Sequence, residues 1–258
     1  MANFQVLRNN IFIEASNLKV LNLVSGQELQ TLNGPPGKMK TVIVTPDGSC
    51  VIANYDSGFI KVWDLASGQE IWDLANGQKI HTSDSTYYFP WFNGVITITP
   101  DGSRIVCSGN NKDIKILDLT SGKKLQTLSG HSDKVTTIMV TFDGSRVLSA
   151  SDKTLKVWGL ANGQELHTLN GHSDKVTAIT VTPNNSRAVS VSEDTTVKVW
   201  DLTTGLLLAS INLDGSIECC AVTPDSQTIV AGGSNGVHFI RLELESQKLS
   251  PALTDCSA

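Results

Sequence analysis

The chain has 258 residues, 40% hydrophobic and 17% charged, so it can bury a sizeable core. A formal net charge of −5 argues against a nucleic-acid partner, because such proteins present a basic patch to the phosphates. No apolar run approaches the roughly 20 residues of a membrane-spanning helix, and the start of the chain lacks the features of a secretion signal. We therefore expect a cytoplasmic protein that binds neither nucleic acid nor membrane.

Short alternating strands are predicted along the whole chain, in units of similar design. In the cleanest unit, residues 163–202, four β-branched strands are separated by turn residues such as Pro183-Asn184-Asn185-Ser186. No convincing helical segment of ten residues is present, so the predicted fold class is all-β. The first core strands of six such units are expected to begin near Phe4, Met39, Val95, Val135, Val176 and Ile217.

One block close to Lys-Val-Trp-Asp-Leu recurs through these units. Its Trp-equivalent positions are 21, 63, 117, 158 and 200, and a sixth copy falls at 239–242. A period of about 41 residues indicates an array of one supersecondary unit. A four-stranded sheet of this size cannot bury both of its faces alone, and radial packing of successive sheets solves that problem.

The Gly-His and Trp-Asp pairs at these spacings resemble the WD40 family of β-propellers. The resemblance implies a propeller of four-stranded blades, with six blades favoured and part of a seven-bladed ring as the alternative. We predict a single domain over residues 1–250 and a C-terminal tail over 251–258. The units lie near 1–33, 34–80, 81–128, 129–169, 170–211 and 212–250.

The resemblance also implies a hydrogen-bonded chain of His, Ser, Asp and Trp inside a blade. The matching residues are His172, Ser190, Asp194 and Trp200 in one unit, and His131, Ser149, Asp152 and Trp158 in the unit before, whose turn is one residue shorter. An indole N–H can only donate and a carboxylate can only accept, so the histidine and the hydroxyl link them. We interpret these residues as structural rather than as a hydrolytic triad, and predict no catalytic residue, cofactor or metal.

The 54-residue interval between positions 63 and 117 breaks the period. Residues 63–71 are nearly repeated by residues 72–80, so either copy could supply the fourth strand of its unit. The aromatic residues Tyr87, Tyr88, Trp91 and Phe92 follow. They either cover an imperfect blade or form an exposed partner-binding patch.

The loops that enter the first strand of each unit should open on one face, which in the WD40 family is a frequent partner surface. That face would carry Lys134, Thr136, Ser151, Lys175, Thr177 and Glu193. The predicted function is a non-catalytic scaffold, most simply a monomer, that binds a protein or peptide. A narrower version makes it the sensor part of a larger signalling protein. The alternative is a propeller hydrolase or lyase with its site in the central channel.

Overall fold

The structure is a computed structural model that describes residues 11–14, 17–22, 24–56, 59–74, 94–108 and 112–242. These residues form 22 β-strands and no helix, which confirms the all-β prediction. Within the same ranges there is accordingly no helix of the length and apolarity that crossing a bilayer requires.

The strands form six antiparallel sheets, numbered here in chain order, and within each sheet neighbours in sequence pair with one another. Sheet 1 contains β1 (Ile11–Glu14), β2 (Asn17–Leu21) and β3 (Glu28–Leu32). Sheet 2 contains β4 (Met39–Val44), β5 (Cys50–Tyr55), β6 (Ile60–Asp64) and β7 (Glu70–Leu74). Sheet 3 contains β8 (Ile96–Ile98), β9 (Arg104–Ser108), β10 (Ile114–Asp118) and β11 (Lys124–Leu128). Sheet 4 contains β12 (Val135–Val140), β13 (Arg146–Ser151), β14 (Thr154–Gly159) and β15 (Glu165–Asn170). Sheet 5 contains β16 (Val176–Val181), β17 (Arg187–Ser192), β18 (Thr196–Asp201) and β19 (Leu207–Asn212). Sheet 6 contains β20 (Ile217–Val222), β21 (Thr228–Gly233) and β22 (Gly236–Arg241).

The turn between the first and second strands of a sheet shows why the strands stop where they do. In sheet 4, the Asp143 carboxylate accepts hydrogen bonds from the backbone N–H and the hydroxyl of Ser145, at 3.0 and 2.8 Å. Gly144 adopts a φ of +68°, which a glycine reaches without strain. The turn therefore satisfies its own polar groups and reverses the chain within five residues, Thr141–Ser145.

Successive sheets stack face to face, and the hydrophobic core consists of the five layers between neighbours. Between sheets 5 and 6, for example, Val197 and Val199 pack against Ile217 and Ile229. The sequence period thus produces the same buried junction again and again.

Sheet 6 departs from this pattern on its outer face. Its residues Val237 and Phe239 occupy the strand positions of Val197 and Val199, yet they are 62% and 75% exposed. The described part of the chain therefore leaves that face of sheet 6 uncovered. The choice between six blades and part of a seven-bladed ring stays a prediction.

The duplicated segment, in which residues 63–71 are nearly repeated by residues 72–80, contributes to two strands of sheet 2. The first copy supplies the third strand of sheet 2, β6, and the fourth strand, β7, runs from Glu70 to Leu74. The fourth strand thus contains the end of the first copy and the start of the second, so neither copy supplies it alone. The predicted aromatic patch of Tyr87, Tyr88, Trp91 and Phe92 lies outside the described residues.

Candidate functional site: the channel mouth and the buried histidine networks

The first strands of sheets 2 to 6 lie side by side, in the order β4, β8, β12, β16 and β20. Because each strand starts at the same level, the side chains at their entrances converge on one cavity of about 690 Å³. We call this cavity the channel mouth. Its lining comprises Lys40, Thr41, Gly94, Val95, Lys134, Val135, Thr136, Lys175, Val176, Thr177, Glu193 and Glu218.

Five of the six residues predicted for a partner-binding face, Lys134, Thr136, Lys175, Thr177 and Glu193, line this cavity. The sixth, Ser151, is fully buried at the end of β13 and does not line it, so its predicted place on this face is wrong. Sequence reasoning missed Lys40 and Glu218. Both could have been found from the strand register. Each is the second residue of the first strand of its sheet, which is the position that Thr136 and Thr177 hold in sheets 4 and 5.

Charge is unevenly distributed around the mouth. Lys175 pairs with Glu193 of the same sheet, with 3.3 Å between Nζ and Oε1. Lys40 and Lys134 have no ion pair with any described residue. Sheet 6 instead contributes the exposed carboxylate of Glu218. The mouth is therefore cationic at sheets 2 and 4, neutral at sheets 3 and 5, and acidic at sheet 6.

Two of the three threonines in the lining, Thr136 and Thr177, hold neighbouring sheets together. Thr136 Oγ1 lies 3.2 Å from the carbonyl oxygen of Val176, and Thr177 Oγ1 lies 2.6 Å from that of Ile217. In both cases the hydroxyl donates across the junction to the first strand of the next sheet. Only the oxygen lone pairs of these threonines remain for a ligand.

Sheet 2 is joined to sheet 3 by a different side-chain hydrogen bond. Lys40 stands at the threonine position and cannot reproduce the short hydroxyl bond. Asn54, on the second strand of the same sheet, donates from Nδ2 to the Gly94 carbonyl at 3.2 Å. Asn54 is fully buried, and its Oδ1 has no hydrogen-bond partner among the described residues. The sheet junction is thus held by Asn54, which leaves Lys40 unused by the fold.

A second polar cluster lies inside sheet 5. Trp200 Nε1–H donates to Ser190 Oγ at 2.8 Å, and Ser190 Oγ lies 2.7 Å from His172 Nε2. His172 Nδ1 lies 2.9 Å from Asp194 Oδ2. With the serine hydroxyl donating to Nε2, His172 is the neutral tautomer that donates from Nδ1 to the carboxylate. The four predicted residues thus form one continuous chain.

The loop glycine before the histidine has a steric reason. A Cβ on Gly171 would lie 3.2 Å from Trp200 Cη2, so the loop passes directly over the edge of the indole. A side chain at this position would have to displace the indole by a few tenths of an ångström, so glycine is the residue that fits without disturbing Trp200.

Burial and hydrogen bonding set the charges of this cluster in sheet 5. Burial lowers the pKa of His172, although the Asp194 carboxylate opposes that shift. Burial also disfavours the ionised form of Asp194. The hydrogen bonds from Thr196, from the Ser173 N–H and from His172 outweigh this effect and hold the pKa of Asp194 far below its usual range. A neutral imidazole therefore donates to a carboxylate that stays ionised.

The cluster in sheet 4 is incomplete, and the predicted role of Asp152 is wrong. Trp158 Nε1–H donates to Ser149 Oγ at 2.8 Å, and His131 Nε2 lies 2.6 Å from the same oxygen. His131 Nδ1, however, is buried without a hydrogen-bond partner among the described residues. Burial, together with the nearby Lys156 charge, lowers the pKa of His131 to about 4.

The shorter turn explains this difference between the two sheets. In sheet 5 Asp194 lies four positions after Ser190, whereas in sheet 4 Asp152 lies three positions after Ser149. Asp152 is exposed, with a φ of +50°. The deletion also leaves the buried Ser151 Oγ unpaired.

Neither cluster has the accessibility of a hydrolytic site. Ser149 and Ser190 are fully buried, and each Oγ already contacts both a histidine and a tryptophan. Over the residues that the structure describes, no three His, Cys, Asp or Glu side chains gather in a way that could hold a metal ion. In both clusters the hydrogen bonds connect the loop histidine to two strands of its own sheet, which is the geometry of a structural network.

Stacked four-stranded sheets, braced by a loop histidine, a strand serine and a strand tryptophan, define a propeller built from repeated blades. The family model described as "WD domain, G-beta repeat" matches residues 26–64, 122–159 and 163–201. The chain thus contains three WD40 repeats, and a protein-interaction role is the broad functional class that such repeats support.

Three curated proteins illustrate the similarity. Autophagy-related protein 16 of Arabidopsis thaliana is 30% identical over 53% of this chain and 24% of its own length. Small ribosomal subunit protein RACK1 of Brassica napus is 30% identical over 38% of this chain and 26% of its own. Pre-rRNA-processing protein crb3/ipi3 of Schizosaccharomyces pombe is 36% identical over 23% of this chain and 13% of its own. The chain thus matches about a quarter or less of each relative.

Proposed function

We propose that this protein is a non-catalytic scaffold that binds a peptide segment of a partner protein at the channel mouth. The observation that carries the proposal is the convergence of five successive sheets on one cavity of about 690 Å³. That volume is in the range of cavities that hold small ligands and short peptide segments. The lining combines apolar strand residues with lysine and glutamate ends, which suits recognition of a mixed polar and apolar chain.

Binding is favoured over catalysis because of where the reactive groups lie. The buried histidine clusters end on Trp158 and Trp200, inside their sheets, and not at the mouth. The lining of the mouth contains no histidine, cysteine or serine. The described lining therefore offers no Ser–His or Cys–His nucleophile pair, and Glu193 is held in an ion pair with Lys175. The narrower roles, a monomeric cytoplasmic protein or the sensor part of a signalling protein, remain proposals from the sequence.

Site-directed photo-cross-linking tests the proposed location. The immobilised chain is panned against short random peptides, and enriched peptides are then added to two variants with a benzophenone amino acid. One variant replaces Thr41, which lines the mouth, and the control replaces Lys123, in the turn between β10 and β11 at the opposite end of sheet 3. We expect mass spectrometry to find peptide attached at position 41 and not at position 123.

Two results would contradict the proposal. One is attachment at position 123 without attachment at 41, which would move the binding surface to the other face. The other is a panning experiment that enriches no peptide above the bare matrix.

A further inference from the structure

We infer that the channel mouth selects an acidic peptide segment, with Lys40 and Lys134 as the residues that receive its carboxylates. The inference rests on the proposed function and adds the chemistry of the ligand. It depends on the free state of these two lysines, on their separation and on the charge at the other side of the mouth.

Three lysines elsewhere in the sheets each pair with a glutamate. Lys61 and Lys156, on the third strands of sheets 2 and 4, each meet a glutamate of the adjacent fourth strand at 2.7 Å. Lys19 meets Glu28 in the same relation at 3.2 Å. Each of these pairs occupies the same place in its blade, so the lysine serves the sheet itself. Lys40 and Lys134 have no such carboxylate among the described residues.

Sheet 3 separates these two free lysines. At its strand entrance it contributes Gly94 and Val95, neither of which carries a charge or a long side chain. Lys40 on sheet 2 and Lys134 on sheet 4 therefore flank an uncharged gap. A peptide laid across this gap can bring one carboxylate to each ammonium group, with its backbone over Gly94.

The fold does not require a lysine at position 40. The junction of sheets 2 and 3 is held by Asn54, which donates to the Gly94 carbonyl. Lys40 is exposed and extends from the strand entrance. Its ammonium group can therefore pair with a ligand without breaking any bond that holds the sheets together.

The opposite side of the mouth excludes a uniform polyanion. Glu218 of sheet 6 lines the same cavity, and Glu193 of sheet 5 lies beside Lys175. The whole chain carries a net charge of −5, which repels nucleic acid at long range. A peptide can place acidic residues at sheets 2 to 4 and a neutral or cationic residue near Glu218, so a peptide fits both sides of the mouth.

Fluorescence anisotropy with three labelled peptides tests this charge preference. The probes are repeats of Glu-Gly, of Gln-Gly and of Lys-Gly, of equal length, each measured at low and at physiological ionic strength. We expect the Glu-Gly peptide to bind, and its affinity to fall as salt rises. A Lys40→Gln, Lys134→Gln double variant should weaken that binding by a factor on the order of five, as expected for two exposed charge contacts.

Matched variants separate the mouth from general charge effects. Lys123→Gln removes the same charge at the opposite end of sheet 3 and should leave Glu-Gly binding unchanged. Glu218→Gln should strengthen it. Thermal unfolding of each variant checks that the fold is retained, which we expect because the substituted side chains are solvent-accessible.

The outcomes also separate this inference from the proposed function. Cross-linking at position 41 by neutral or lysine-rich peptides, with no preference for Glu-Gly, would leave the scaffold intact and overturn the acidic ligand. Equal weakening by Lys123→Gln would do the same, as would single-stranded DNA of matched charge binding as tightly as the peptide. Failure of every peptide to cross-link at position 41 would overturn the proposed function itself.

Discussion

Replacing Asp194 by Asn should destabilise the protein by about 3 kcal/mol, whereas Asp152→Asn should change stability by less than about 0.5 kcal/mol. Asp194 Oδ2 accepts from His172 Nδ1 and the Ser173 N–H, and Oδ1 accepts from the Thr196 N–H and hydroxyl. The Asp194 side chain is 4% exposed. An amide has the same shape but turns an NH₂ group toward one pair of these donors.

The magnitude follows from the number of donors left unpaired. Two buried donors without an acceptor cost about 1–3 kcal/mol each, and part of this loss is recovered where Ser173 and Thr196 reach water. The side chain of Asp152 makes no hydrogen bond with a described residue, so the same substitution there removes nothing. Asparagine also tolerates the positive φ of Asp152, which makes it a fair control.

Urea denaturation, followed by tryptophan fluorescence, measures both free energies of unfolding, provided that each transition is two-state with an unchanged slope. Equal losses in the two variants would show that Asp152 contributes a brace that the geometry does not reveal. No loss at Asp194 would show that the chain from Trp200 to Asp194 does not contribute to stability, and would refute the reasoning.

Three further predictions follow from the same structure. Inserting a glutamate between Ser151 and Asp152 gives sheet 4 the turn length of sheet 5, and urea denaturation should show a gain of about 1–2 kcal/mol as His131 acquires an acceptor. That gain should vanish in a His131→Ala background. A gain of the same size in that background would contradict the prediction. As pH falls below 6.5, the unfolded chain protonates His131 while the folded chain, with its pKa of about 4, does not. Stability should therefore fall between these pH values by about 3 kcal/mol, and the pH slope should shrink in His131→Gln. Finally, Val199→Thr should cost about 1–2 kcal/mol whereas Phe239→Thr costs less than about 0.5 kcal/mol, because sheet 6 buries the first residue and nothing described covers the second. Equal melting temperatures for that pair would mean that the outer face of sheet 6 is covered in solution.

The period of the sequence was sufficient to predict the strands, their order and the layers between sheets. Every junction repeats one pattern of alternating apolar residues, and that pattern is local enough to recognise in a single chain. Asp152 and Asp194 lie at the same distance in sequence from their tryptophans, Trp158 and Trp200, so that spacing does not distinguish the two sheets. The spacing from the serine differs, three residues against four, and that spacing decides whether the carboxylate reaches the histidine.

The replacement of a threonine by Asn54 could not be predicted from the sequence, and it bears directly on the function. At three described junctions a side chain donates to a backbone carbonyl of the next sheet. Thr136 and Thr177 donate from the first strand of their sheets, whereas Asn54 donates from the second. In the sequence alone, Lys40 is simply a break in the repeat. In three dimensions Asn54, 14 positions away, joins sheets 2 and 3 through the neighbouring Gly94 carbonyl, so this bond does not depend on the residue at position 40. A position that interrupts a repeat therefore becomes a candidate for binding only when another residue is found to perform its structural task, and Lys40 meets that condition.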